Sequence, residues 1–158
     1  MIGLEEIEKL AKEKPIEEVL ENFGWKEFEE VVAEIFRRHE FFVRRNFRLK
    51  TRKRYEIDIV AVKSNFVFCI DCKRWLGGRY KKSAIKRSAK EQEKRTRVMK
   101  RFLEKNPILR ESLKIASKFE IIPLILTLME EDLIKEGNTF IVPLFKLNSF
   151  LLEFESYL

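Results

Sequence analysis

Three charged residues stand in a stretch of sequence that otherwise resembles two apolar β-strands. The segment RYEIDIVAVKSNFVFCIDCKRW, residues 54–75, alternates apolar and polar side chains as a β-hairpin does, and it carries Asp58, Asp71 and Lys73 near the strand ends. A charged group buried without a partner is costly. The side chains of these three residues therefore either point to water or form one functional site.

The residue types favour a metal-assisted reaction. Two carboxylates near one point suit a hard divalent cation that takes oxygen ligands and few of them from protein, as Mg²⁺ does, with Mn²⁺ as the alternative ion. Lys73 lies two residues after Asp71, on the same strand face. There its ammonium group can orient a water molecule or stabilise charge on a phosphate. Carboxylates, a divalent ion, a lysine and basic surroundings together describe the hydrolysis of a phosphodiester.

The two strands must bring the carboxylates together. A turn at Lys63-Ser64-Asn65 has its centre near residue 64, and it pairs Asp58 with about Ile70 rather than with Asp71. A bulge or a splay of the strands would then be needed to bring Asp58 and Asp71 to a common site.

The apolar pattern predicts the elements around this hairpin. Helices are expected over 3–14, 15–23, 25–41, 81–105, 109–118 and 146–158, and strands over 41–47, 55–62, 65–73, 119–128 and 139–145. Residues 48–54 are expected to form a basic loop between the first two strands. This order indicates an α/β domain with a central mixed β-sheet flanked by helices.

Positive charge is concentrated in the middle of the chain. The 158 residues carry a net charge of +7, but residues 37–101 hold 23 Lys and Arg against six Asp and Glu. Such segregation is typical of a surface that binds a polyanion, and we expect nucleic acid, with an anionic membrane surface or an acidic protein as the alternatives. The candidate nucleic-acid-binding residues are Arg44, Arg45, Arg48, Lys50, Arg52, Lys53, Arg54, Arg74, Lys81, Lys82, Lys86, Lys90 and Lys94.

Several other classes of protein do not fit the sequence. No stretch approaches the ~20 consecutive apolar residues that a membrane helix needs, and the acidic N-terminus MIGLEEIEKL is unlike a secretory signal. Cys69 and Cys72, three positions apart on one strand, face opposite sides and do not pair easily. With one histidine in the chain, they are also too few for a typical zinc site. We therefore expect a reduced, cytoplasmic protein.

Two segments carry a family resemblance. Asp58, followed by strand, turn and strand and then by Asp71-Cys72-Lys73, resembles the signature of the PD-(D/E)xK nuclease superfamily, which has the restriction-endonuclease-like fold. The preceding helix, with Phe28-Glu29 near its start and HEFFV at its end, resembles the first helix of Mrr-type restriction nucleases and of archaeal Holliday-junction resolvases. The resemblance extends over residues 25–150.

The sequence departs from these families at three positions. Ile57, Asp71 and Glu40 stand where the families more often have Pro, Glu and Gly. None of the three changes removes a charge that the chemistry needs. The nuclease domain is expected over residues 25–158, with residues 1–24 as an N-terminal helical extension.

The resemblance implies a Mg²⁺-dependent DNA endonuclease. Asp58 and Asp71 would hold the metal ion together with the backbone carbonyl of Cys72. Glu29 would contribute directly or through water, and Lys73 would act on the nucleophile. Hydrolysis would leave a 5′-phosphate and a 3′-hydroxyl. Cutting both strands of a duplex needs two sites and thus implies a homodimer, for which the apolar tail FLLEF at residues 150–154 is one candidate surface.

Other interpretations stay open. The protein could be a structure-specific Holliday-junction resolvase, or a DNA-binding protein that keeps the nuclease fold without catalysis. Asp58 and Lys73 could form an ordinary cross-strand ion pair, and Glu29 could be a first-turn acid favoured by the helix dipole. Gln92 resembles the extra glutamine of RecB-like nucleases, although the tyrosine expected after it is absent.

Overall fold

The computed structural model describes residues 24–73, 82–128 and 134–158, apart from the side chains of Trp25 and Lys82. The helices are α1 (Trp25–Arg38), α2 (Lys82–Lys105), α3 (Pro107–Ser112) and α4 (Leu147–Glu153), with 3₁₀ turns at Leu144–Lys146 and Phe154–Tyr157. The strands are β1 (Phe42–Lys50), β2 (Arg54–Lys63), β3 (Phe66–Lys73), β4 (Glu120–Thr127), β5 (Ile134–Glu136) and β6 (Thr139–Pro143). The helices predicted over 3–14 and 15–23 lie outside the described residues.

The strands form one mixed sheet in the order β1-β2-β3-β4-β6-β5, which confirms the predicted α/β fold class. The strands β3, β4 and β6 run parallel, and the other neighbours pair antiparallel. One apolar core lies on the sheet face that packs against α1 and α4, here called the α1 face, and a second lies on the α2 face. The parallel pairing of β3 with β4 places their carboxyl ends at the same edge of the sheet. No helix among the described residues is long and apolar enough to cross a membrane.

The β2–β3 hairpin corrects the predicted pairing of Asp58. The turn has two residues, Ser64-Asn65, and the first takes a positive φ of 54°, as short hairpin turns require. Ile70 consequently pairs with Ile59, where the pairing ends, and the same register continued by one step sets Asp58 opposite Asp71. The predicted register was wrong by one residue because it counted a third residue in the turn.

Side-chain alternation breaks where β2 reaches Asp58. Strict alternation would place Ile57 and Ile59 on one face, but Ile57 packs on the α2 face and Ile59 on the α1 face. The break coincides with Asn46 on β1, which has a φ of 52° and is left out of the β1–β2 pairing together with Asp58. This bulge-like bend turns the outer half of the β1–β2 hairpin against α2.

The C-terminal end of α1 forms a Schellman motif. The backbone N–H of Phe41 donates to the carbonyl of Phe36 at 3.1 Å, and that of Glu40 donates to the carbonyl of Arg37 at 2.9 Å. The rings of Phe36 and Phe41 meet edge to face with their centroids 5.1 Å apart. Glu40 has a φ of 67°, the left-handed value that a glycine would adopt without strain. This is the position at which the resemblance described above leads to the expectation of a glycine.

The long helix α2 buries a narrow stripe and exposes a basic surface. The buried residues recur alternately four and three positions apart, and they are Ile85, Ala89, Gln92, Thr96, Met99 and Leu103. This spacing is that of a helix with one buried face. Lys86, Lys90 and Lys94 are exposed.

Other element boundaries also differ from those predicted. Most of the expected basic loop over 48–54 is strand, so that the loop has only residues 51–53. The helix expected over 109–118 is the shorter α3, and the strand expected over 139–145 ends at Pro143. The strand β5 was not predicted, because its three residues are too few to show alternation.

The C-terminal tail is mostly core. Phe150, Leu151 and Phe154 of the FLLEF segment are buried on the α1 face, whereas Leu152 is 77% exposed. The predicted closing helix is α4 followed by the 3₁₀ turn. Most of the apolar side chains of this candidate dimer surface are therefore buried within the core of one chain.

Candidate active site

Asp58 and Asp71 meet at the bend in β2, beside the carboxyl end of β3. The backbone N–H of Cys72 donates to Oδ2 of Asp58 at 3.0 Å. The carboxyl group of Asp71 lies close enough to that of Asp58 for its charge to act on it. The two carboxyl groups that the sequence singles out thus lie side by side at this point of the hairpin.

The carboxyl group of Asp58 is electrostatically strained. Burial raises the pKa of Asp58 from its ordinary value of 3.8 to about 7. The N–H of Cys72 opposes this shift, whereas the charges of Asp71 and Glu29 add to it. A divalent cation between the two aspartates would relieve this repulsion.

Asp71 has two cationic neighbours. Its Oδ2 atom lies 3.3 Å from Nζ of Lys73 and 3.6 Å from Nη1 of Arg95. The same oxygen is buried and accepts no hydrogen bond from the described residues. This oxygen therefore has lone pairs left for a metal ion or a water molecule, while Lys73 and Arg95 compensate the charge of the carboxylate.

Arg95 is a member of the site that no sequence motif indicated. Its Nη1 atom donates to Oε1 of Gln92 at 2.9 Å. Gln92 is itself buried, and its Nε2 atom donates to the carbonyl of Cys69 at 2.8 Å. Gln92 thereby joins α2 to β3 and fixes Arg95 beside Asp71. The sequence offers one indication that Arg95 belongs to the site: it lies three residues after Gln92, on an adjacent part of the helix surface.

Glu29 lies on α1 near the aspartates and is 4% exposed. Its Oε2 atom lies 3.4 Å from Nη2 of Arg45, and Nη1 of Arg45 pairs with Glu30. Arg45 was predicted to contact nucleic acid. Its guanidinium group is turned towards the carboxylates of α1, and its contact with nucleic acid stays a prediction.

The donor set fits a hard cation bound by two carboxylates. Within 24–73, 82–128 and 134–158, no three His, Cys, Asp or Glu side chains are grouped to hold a metal ion. Asp58 and Asp71 supply oxygen donors, and a cation with few protein ligands completes its shell with water, as Mg²⁺ does. Burial raises the pKa of the Cys69 thiol to about 12 and that of Cys72 well above its ordinary value. The thiols therefore stay protonated and are poor ligands for zinc.

The predicted nucleic-acid-binding residues lie mainly on two surfaces. The exposed ones are Arg44, Arg48, Lys50, Arg52, Lys53 and Arg54 on the β1–β2 hairpin and Lys86, Lys90 and Lys94 on α2. Arg74, Lys81 and the side chain of Lys82 lie outside the described residues.

Comparisons with known proteins agree with this architecture. The profile of the nuclease-related domain (NERD) family matches residues 24–126, a range that includes α1, the first three strands and α2. An uncharacterized protein of Archaeoglobus fulgidus is 32% identical over 135 residues, which cover 85% of this chain and 94% of that protein.

Proposed function

The chain belongs to the nuclease-related domain family, which lies within the restriction-endonuclease-like superfamily, and we propose that it is a Mg²⁺-dependent DNA endonuclease. The observation that carries the proposal is the proximity of the carboxyl groups of Asp58 and Asp71, with Lys73 3.3 Å from Asp71. The narrower likeness to Mrr-type nucleases stays a prediction.

Asp58 and Asp71 are the proposed ligands of the ion, together with the backbone carbonyl of Cys72. A bound Mg²⁺ would neutralise charge on the scissile phosphate and lower the pKa of the attacking water. Mn²⁺ also takes oxygen ligands and is expected to replace it. Because the side chain of Asp71 is only 13% exposed, its charge is weakly screened by solvent.

Positive side chains complete the proposed mechanism. Lys73 supplies an ammonium group beside Asp71, where it can hold the attacking water or an oxygen of the phosphate as negative charge develops. Arg95, held by Gln92, supplies a second positive charge at the same carboxylate. Glu29 acts indirectly, because it pairs with Arg45 and its charge adds to the negative electrostatic field at Asp58.

The substrate follows from the charge distribution. Exposed Arg and Lys residues on the β1–β2 hairpin and on α2 are suited to contact the phosphates of DNA. Attack of water on phosphorus would break the bond to O3′ and leave a 5′-phosphate and a 3′-hydroxyl. One site cuts one strand, so we propose that two copies of the chain act together on duplex DNA.

The proposal is tested by cleavage of a labelled panel of linear duplex, four-way junction, flap and single-stranded DNA at low salt. The wild type should cut with Mg²⁺ or Mn²⁺ and should not cut in EDTA. Asp71→Asn and Lys73→Gln should each lower the rate about 100-fold or more, because each removes a charge that acts on the transition state. Glu56→Gln is the matched control, since Glu56 is an exposed carboxylate two residues before Asp58.

The outcomes separate the open alternatives. Selective cutting of the four-way junction would assign the protein as a resolvase with the same chemistry. DNA binding without cleavage in any metal ion, unchanged by Asp71→Asn, would contradict the proposal and favour a DNA-binding protein without catalysis.

A further inference from the structure

A cavity of about 440 Å³ lies between the tip of the β1–β2 hairpin and the C-terminal half of α2. Its lining residues are Thr51, Arg52, Tyr55, Val98, Arg101, Phe102, Lys105 and Asn106. None of these described lining residues is acidic. The cavity exists because the bend in the β1–β2 hairpin turns the hairpin tip against α2.

The lining combines aromatic side chains with cations. Tyr55 and Phe102 are half-buried and pack against the core of the α2 face, so their rings are held in place. Arg52, Arg101 and Lys105 are exposed around them. Aromatic rings with neighbouring Arg and Lys are the combination with which proteins hold unpaired nucleotides, the base on the ring and the phosphate on the cations. An acidic peptide would use the cations but has no general need for the two rings.

The cavity lies close to the proposed cleavage site. Tyr55 precedes Asp58 by three residues on β2, a separation of about 10 Å. Phe102 follows Arg95 by seven residues on α2, again about 10 Å. This distance corresponds to about three base steps of stacked DNA at ~3.4 Å each.

We propose that this cavity binds one unpaired nucleotide of the DNA substrate, about three positions from the scissile phosphate. The inference rests on the proposed nuclease function, and it makes branched or flapped DNA the preferred substrate class. A continuous duplex would have to expose a base to fill the cavity, which costs a few kcal/mol in lost stacking and pairing.

Fluorescence of 2-aminopurine in a short single-stranded oligonucleotide tests the cavity directly, in EDTA so that no cleavage occurs. Stacking on Tyr55 or Phe102 should quench the fluorescence when the wild type binds. Phe102→Leu should lose about half of the quenching or more, since it keeps an apolar side chain but removes one ring. Arg101→Gln should weaken binding about fivefold and reduce the slope of log K against log[salt] by about one.

Lys100→Gln is the matched control, because Lys100 is exposed on the same helix but lines a different cavity. It should change the affinity less than twofold, and thermal unfolding should show that all variants are folded. Equal quenching by the wild type and Phe102→Leu, or equal effects of Arg101→Gln and Lys100→Gln, would overturn the proposal.

Cleavage assays distinguish this proposal from that of the nuclease. If both hold, Phe102→Leu should lose the preference for a flap over duplex DNA, and Lys100→Gln should keep both that preference and the wild-type rate on duplex DNA. If the wild type quenches 2-aminopurine without cutting any DNA, the cavity stands and the nuclease proposal fails. If the wild type cuts DNA but shows no quenching, the nuclease proposal stands and the cavity proposal fails.

Discussion

At the scale of single residues, Asp58 couples folding to pH. Its carboxyl group is partly buried and lies beside two other carboxylates, so its pKa of about 7 in the folded chain lies above the ordinary value of 3.8. At pH values between these two pKa values, Asp58 is protonated in the folded state but ionised in the unfolded state. The stability of the metal-free protein should therefore fall as the pH rises from about 4 to about 7, and Asp58 should contribute no further change above that range.

The Asp58→Asn variant should remove this dependence. Because Asp58 is partly exposed, we discount the full shift and expect a gain of about 1–2 kcal/mol in the free energy of unfolding at pH 8. At pH 4 the variant and the wild type should be nearly equal. Urea unfolding in EDTA at several pH values measures the difference. A constant difference between the two proteins from pH 4 to pH 8 would contradict this assignment.

At the scale of secondary-structure elements, the end of α1 carries a local strain. Glu40 adopts a φ of 67° and is exposed, so its side chain adds a steric cost. Glu40→Gly should raise the free energy of unfolding by about 0.5–1 kcal/mol, because glycine takes this conformation without strain. Chemical denaturation measures the change.

Glu34→Gly provides the control with the opposite sign. Glu34 lies inside α1, where glycine should lower stability by about 1 kcal/mol. A loss of stability in both variants would show that the left-handed conformation of Glu40 is not a source of strain.

The strands also show how much of the fold could be predicted from the sequence. Alternation predicted β2 and β3 because buried strands leave a clear pattern of apolar residues. It could not predict the bend, since the pattern continues through Ile57 and Ile59 although their side chains go to opposite faces. Asn46 was the local signal, because asparagine tolerates a positive φ better than most residues.

At the scale of the whole molecule, the sheet gathers residues that are distant in the chain. Glu29 on α1, the two aspartates of the hairpin and Arg95 on α2 meet at one edge. The aspartates could be predicted, because charged residues interrupt apolar strands. The inward turn of Arg45 could not, because it depends on where α1 packs against β1, and the sequence shows only that the residue is basic.

The central claim is that Asp58 and Asp71 share one divalent ion, and direct counting of bound Mn²⁺ by electron paramagnetic resonance without DNA tests it. The wild type and Glu56→Gln should each bind one ion per chain with equal affinity at pH 8, and Asp58→Asn should weaken binding about 100-fold, since it removes one of two charged ligands. Equal binding by the wild type and Asp58→Asn, or no bound ion in the wild type, would contradict the claim.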